Sequence, residues 1–190
     1  MTPLSGPLYV VVGVLLVAGA TKVVSPAVTA TALRQMGIPS PRLSTRLLGA
    51  AEIVAGILAV ATGEPLAWAA IAMFYAAFTL FVLWALQADR RVGSCGCFGQ
   101  EDTPPTTGHA AFNAAAAALS TLAIVDPVRL VGLDLSAGEA SLFVVLVITG
   151  IVMSILALTA LPRLISIISG EVRTPAAPEF SIHRTSPSNR

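Results

Sequence analysis

Charged residues and cysteines are both scarce in this chain of 190 residues. Only 11% of the residues are charged, whereas a soluble domain usually carries about a quarter, and 55% are hydrophobic. The formal net charge of +1 provides no basic surface for a nucleic acid. Walker, dinucleotide-binding and zinc-finger spacings are also absent from the sequence. The composition therefore argues against nucleotide-binding and nucleic-acid-binding proteins and indicates a protein that lies in a bilayer.

The two cysteines form a pair that allows one internal disulfide at most. Cys95 and Cys97 are separated only by Gly96, which gives the backbone the freedom to bend sharply. A disulfide requires Cα atoms roughly 4.4–6.8 Å apart, a distance that residues i and i+2 can just meet. Such a small ring would be strained, and strained exposed disulfides are the labile or catalytic kind. The spacing favours a redox-active dithiol, while two unrelated free thiols in a loop remain the simpler interpretation.

Five hydrophobic stretches approach the length of about 20 residues that a transmembrane helix requires. They run over Leu8–Val24, Leu43–Thr62, Leu66–Leu86, His109–Val125 and Ala140–Leu161. Because no positive charge precedes the first stretch, we interpret it as a retained membrane helix and not as a signal peptide. Pro26 is expected to break the chain and to begin a polar connector.

These stretches predict an all-α, polytopic transmembrane bundle with a four-helix core and a fifth transmembrane helix. The transmembrane domain is expected to cover residues 1–170. Residues 171–190 are rich in Pro, Ser and Arg and are predicted to be a disordered polar tail.

Basic residues predict the orientation of the bundle in a bacterial inner membrane. With the N-terminus outside, only Arg129 lies on the outer face. The inner face then collects Lys22, Arg34, Arg42, Arg46, Arg90, Arg91, Arg163, Arg173, Arg184 and Arg190. The positive-inside rule favours this arrangement, which places the cysteine pair at the cytoplasmic surface.

Residues on both sides of the cysteine pair could activate a thiol. Arg90 and Arg91 lie just upstream, and a nearby positive charge stabilises a thiolate. Downstream, His109 and Asn113 share one face at the start of the fourth span, where free N–H groups favour negative charge. Cys97, nearer to this helix start, is therefore predicted to attack, with the other cysteine resolving. The simpler roles are an interfacial polar residue for His109 and a helix–helix hydrogen bond for Asn113.

A carboxyl group near the middle of the second span is the other unusual feature. Glu52 lies between Gly49 and Gly56, which provide a small-residue face for another helix. A charge at this depth costs at least about 2.5 kcal/mol and normally faces a partner inside the bundle. Lys22, near the inner end of the first span, is the expected partner. The pair could clamp two helices together, or Glu52 could serve as a proton site.

A metal site is a less favoured interpretation of the same cysteines. Cys95, Cys97 and His109 provide three ligands, whereas a structural zinc site requires four. The fourth would have to come from Glu101, Asp102 or His183. Because this spacing is not a standard one, we expect no metal.

The sequence resembles the DoxX-like/MauE group of small bacterial membrane proteins, which includes the methylamine utilisation family MauE. The resemblance depends above all on the element Ser94–Gly99, Ser-Cys-Gly-Cys-Phe-Gly, after the third span. Lys22 followed by Pro26, Glu52 in the second span and Asn113 also fit.

The resemblance implies thiol–disulfide chemistry at Cys95 and Cys97 with a thioredoxin-fold partner, and supporting positions at Glu52 and Asn113. It also implies a role in maturing a periplasmic protein, which would place the pair on the outer side of the membrane. A more distant similarity to quinone-coupled enzymes makes a quinone a candidate cofactor. Those enzymes use two cysteine pairs, so this chain would need a partner to complete such a relay.

Three classes of function follow from these features. The first is a thiol–disulfide oxidoreductase of the membrane. The second is a non-enzymatic scaffold or assembly factor whose cysteine loop is structural or binds a metal. The third is a transporter that uses Glu52 as its proton site.

Overall fold

The computed structural model describes residues 5–87, 105–126, 136–161 and 164. Within these residues the chain forms six helices and no strand. The helices are α1 (Ser5–Val24), α2 (Pro26–Gln35), α3 (Arg42–Thr62), α4 (Pro65–Gln87), α5 (Thr107–Val125) and α6 (Ala137–Thr159). All except α2 are long and apolar enough to cross a membrane. The all-α, five-span fold predicted from the sequence is therefore confirmed.

The chain breaks at Pro26 and a polar segment connects α1 to α3, as predicted, but this segment contains a helix, α2, that the sequence analysis did not predict. Proline occupies the first turn of α2, where its missing N–H needs no partner, so it ends α1 and begins α2. One face of α2 is buried through Thr29, Ala30 and Ala32. The helix stops before Gly37, whose φ of 80° is in the left-handed region. At about 15 Å, α2 is too short to span the bilayer.

Side-chain caps explain why two spans begin earlier than their hydrophobic stretches. The backbone N–H of His109 donates to Thr106 Oγ1 over 3.4 Å, so α5 begins at Thr107. At the start of α6, Ser136 and Glu139 form a reciprocal capping box. Polar capping residues therefore extend both helices beyond the apolar segment at their N-termini.

The core of the bundle is formed by α1, α3, α4 and α5. The α1 helix is central, with Leu8 and Leu15 each 1% exposed, and Trp68 of α4 is fully buried. The Tyr75 hydroxyl of α4 donates to the Val11 carbonyl of α1 over 2.7 Å. These contacts hold the core helices together and confirm the predicted four-helix core.

The α6 helix lies against one side of this core. It contacts α1 through an edge-to-face pair between Tyr9 and Phe143, whose ring centroids are 5.3 Å apart. Only Leu158 and Thr159 of α6 are buried. Most of its apolar surface therefore remains available to lipid, as expected of a fifth, peripheral span.

The closest approach between two helices is made by glycines of α1 and α3. A Cβ atom at Gly49 would lie 2.5 Å from the Gly19 carbonyl oxygen and 2.8 Å from Lys22 Cβ. A Cβ at Gly19 would lie 2.7 Å from the Gly49 carbonyl oxygen. Because the obstructing atoms are backbone, neither position accepts a side chain without moving a helix.

Replacing Gly49 with alanine is therefore expected to destabilise the bundle. Overpacking typically costs about 1–3 kcal/mol, whereas the change from glycine to alanine in a helix by itself gains up to about 1 kcal/mol. Gly138→Ala is the matched control, because a Cβ there meets no atom within 4 Å. Thermal unfolding in detergent should show a lower Tm for Gly49→Ala and an unchanged or higher Tm for Gly138→Ala. Equal Tm values for the two variants would contradict the close contact.

Candidate functional site

A buried ion pair joins α1 to α3 inside the bundle. Lys22 Nζ lies 2.9 Å from Glu52 Oε2, and the two side chains are 2% and 0% exposed. The pairing of these residues was predicted from sequence, and the structure brings them into direct contact. The glycine contact explains the geometry, since Lys22 follows Gly19 and Glu52 follows Gly49 by one helical turn.

The ammonium group of Lys22 has further partners around it. It donates to the Ala18 carbonyl of its own helix over 3.3 Å. It also lies 4.9 Å from the centroid of the Phe78 ring, within the range of a cation–π interaction. The second carboxylate oxygen of Glu52, Oε1, is buried and has no hydrogen-bond partner among the described residues. The Lys22 ammonium group thus has several partners, whereas one oxygen of the Glu52 carboxylate has none among the described residues.

The first turns of α5 place two polar side chains inside the bundle. His109 is 2% and Asn113 7% exposed, so neither is a solvated interfacial residue. The Nδ1 atom of His109 lies 2.8 Å from Thr106 Oγ1. Its other ring nitrogen, Nε2, is buried without a hydrogen-bond partner in the described part of the chain. Burial of His109 therefore leaves one ring nitrogen available inside the bundle.

A small cavity brings these two clusters together. It has a volume of about 20 Å³ and is lined on its polar side by Lys22, Tyr75, His109 and Asn113. A cavity needs roughly 10–15 Å³ to hold one water molecule. The start of α5 and the ion pair are thus separated by a cavity that is large enough for one water molecule.

A second, larger cleft meets the ion pair from the side of α2. Its volume is about 250 Å³, and Lys22 contributes to its lining. Three phenylalanines of α4, namely Phe74, Phe78 and Phe81, line the same cleft. It is therefore an apolar site with a single cationic residue at its wall.

Four of the eight site residues predicted from sequence meet in this region, namely Lys22, Glu52, His109 and Asn113. The other four, Cys95, Cys97, Arg90 and Arg91, lie outside the described residues. No group of three metal-binding side chains occurs among the residues that the structure describes. The alternative ligands Glu101, Asp102 and His183 also lie outside them.

The sequence analysis did not identify Thr106, Tyr75 or Phe78 as parts of this region. A threonine immediately before an alanine-rich helix is a typical N-cap, and this signal could have identified Thr106. Tyr75 and Phe78 lie in an almost uniformly apolar helix. Because their neighbours are equally apolar, the sequence does not show which aromatic residues face the lysine.

The helical bundle and its buried charges define a multi-pass membrane protein with a cluster of polar side chains in its interior. Comparison with protein families gives a match to the methylamine utilisation protein MauE over residues 3–126. The chain therefore belongs to the MauE family, as the resemblance indicated. The matched region ends at Asp126, the C-cap residue of α5, so it covers the four core spans and the cysteine pair. Searches of curated proteins and of solved structures found no match.

Proposed function

We propose that this MauE family protein is a membrane thiol–disulfide redox protein whose reactive pair is Cys95 and Cys97. The observation that carries the proposal is that the only two cysteines form a Cys-Gly-Cys unit in the segment joining α4 to α5. A thiolate is needed for exchange, and arginines and a helix N-terminus are the features that favour one. Arg90 and Arg91 precede the pair, and α5 follows it.

The proposed exchange passes two electrons between this chain and a thioredoxin-fold partner. One thiolate of the reduced pair attacks the partner's disulfide, forming a mixed disulfide and releasing one partner thiolate. The second cysteine of the pair then attacks the mixed disulfide. The partner leaves as a dithiol and this chain is left with its internal disulfide, so two thiol protons have been released from the pair. The reverse sequence would reduce the chain again.

Redox titration of the purified protein tests whether the pair forms a disulfide at all. The protein in detergent is equilibrated with mixtures of reduced and oxidised dithiothreitol and then alkylated with a maleimide of high mass. We expect a two-electron transition between a doubly labelled and an unlabelled form. Persistent double labelling under fully oxidising conditions would overturn the proposal. Copurified zinc that keeps both thiols unlabelled after reduction would instead favour the scaffold with a metal-binding loop.

We propose the cytoplasmic side for the cysteine pair, on the basis of the arginines. Lys22 is buried against Glu52, so it is not a free interfacial charge and the orientation depends on arginines alone. An impermeant maleimide added to intact cells checks the side. No labelling before or after reduction, followed by labelling once the cells are opened, is the expected result. Labelling in intact cells after reduction would place the pair outside, as the family's periplasmic role implies.

The apolar cleft gives a candidate location for the quinone suggested by the distant similarity. The phenyl rings of Phe74, Phe78 and Phe81 could pack against an aromatic head group. A volume of about 250 Å³ suits a head group more than a whole isoprenoid molecule. A bound quinone would supply a two-electron, two-proton acceptor. Phe78→Ala should then weaken binding of a soluble short-chain quinone, measured by quenching of tryptophan fluorescence, whereas the exposed Met73→Ala should not.

A further inference from the structure

We propose that one buried water molecule links His109 to the Lys22–Glu52 pair and completes a hydrogen-bonded path from the start of α5 to the interior of the bundle. The path would consist of Thr106, His109, the water and the ion pair. The binding site for the water is argued from the bundle alone.

The cavity between α1 and α5 has the size and the polar groups that an internal water requires. Its volume is about 20 Å³, slightly above the roughly 10–15 Å³ that one water needs. Lys22, His109 and Asn113 line it, and buried water typically makes about three hydrogen bonds to such groups. The remaining lining is apolar apart from Tyr75, whose hydroxyl donates to Val11.

An unpaired nitrogen gives the second reason for a ligand at this place. His109 is only 2% exposed, its Nδ1 is paired with Thr106 Oγ1, and its Nε2 has no partner within the described residues. Leaving a buried polar atom unpaired costs roughly 1–3 kcal/mol. A water in the cavity would remove this cost without any movement of the helices.

The proposal assigns one direction to each hydrogen bond around the cavity. The ammonium group of Lys22 can only donate. Two of its three N–H groups donate to Glu52 and to the Ala18 carbonyl. The water would accept the remaining N–H and would then donate to Nε2 of His109. The histidine proton would therefore lie on Nδ1, donated to Thr106.

This arrangement would connect the segment before α5 to a carboxylate inside the membrane span. The hydrogen bonds would run from the Lys22 ammonium group through the water to Nε2 of His109, and from Nδ1 to Thr106 Oγ1. His109 is thus a residue that holds the water in this proposal, and not a ligand of a metal.

Nuclear magnetic resonance of labelled histidine tests the water directly. The chain has two histidines, so a His183→Gln variant leaves His109 as the single imidazole signal. Cys95→Ser and Cys97→Ser are included, so that the result is independent of thiol chemistry. In ¹⁵N-histidine-labelled protein in nanodiscs, we expect a protonated Nδ1, an unprotonated Nε2 and magnetisation transfer from water to the ring. A proton on Nε2, or no transfer from water, would overturn the proposal.

Two further variants distinguish an effect of filling the cavity from a general effect of substitution in α5. Asn113→Leu should fill the cavity and abolish the transfer from water. Ser120→Ala lies on the same helix, is fully buried and does not line the cavity, so it should leave the transfer unchanged. Because these spectra are recorded without cysteines, failure of the thiol proposal in the redox titration would leave them unaffected. Equal transfer in Asn113→Leu and Ser120→Ala would contradict the assigned position of the water.

Discussion

Serine at either Cys95 or Cys97 is expected to abolish thiol exchange while leaving membrane insertion unchanged. Exchange needs one sulfur to attack and a second to release the mixed disulfide, and the chain has no third cysteine to substitute. The rate of reduction of oxidised thioredoxin by the reduced protein should fall to that of the double serine variant. Insulin turbidity, or the fluorescence of the thioredoxin, measures this rate.

The two single variants should differ in what they trap. If Cys97 attacks, Cys95→Ser cannot resolve the mixed disulfide and should accumulate a covalent complex with thioredoxin on a non-reducing gel. Cys97→Ser lacks the attacking sulfur and should accumulate little of the complex. The neighbouring Ser94→Ala is the matched control and should exchange at the original rate. Full exchange by either serine variant would exclude the dithiol mechanism, and trapping only by Cys97→Ser would reverse the two roles.

The membrane spans could be predicted from sequence because the bilayer imposes a fixed length of apolar helix. The pairing of Lys22 with Glu52 could be predicted for a related reason, since a charge at that depth needs a partner. A span that is too short and a charge without a partner both cost so much free energy in a bilayer that few other structures are possible. The observed pair and the five spans agree with those predictions.

The rotation of each helix about its axis could not be predicted in the same way. Trp68 lies near one end of α4, yet its ring is fully buried in the core. His109 is also buried, although its position at a helix start suited an interfacial residue. In a helix whose faces are almost equally apolar, such as α4, tertiary packing decides which residues turn inward. The helical state of residues 26–35 was missed because their buried face consists of alanine and threonine rather than large apolar residues.

Removing one partner of the buried ion pair is expected to destabilise the bundle more than any other single change in the described residues. Leaving one buried charge without its partner costs about 3–5 kcal/mol. Lys22→Met leaves the Glu52 carboxylate with both oxygens unpaired, and Glu52→Gln leaves the ammonium without its counter-charge. Unfolding in mixed detergent micelles should show a large decrease in the free energy of unfolding for each single variant. Glu64→Gln, at an exposed position in the turn before α4, should show no change.

The double variant Lys22→Met, Glu52→Gln distinguishes the two roles left open for the pair. Because replacing both charges removes the unpaired charge, stability should recover to near that of the original protein. A pure clamp between α1 and α3 would then exchange thiols at the original rate. A proton site would instead leave the double variant stable but slow in thiol exchange, so the exchange rate of the double variant identifies the role. Stability losses that simply add in the double variant would show that the two side chains do not interact, contrary to the distance of 2.9 Å between Lys22 Nζ and Glu52 Oε2.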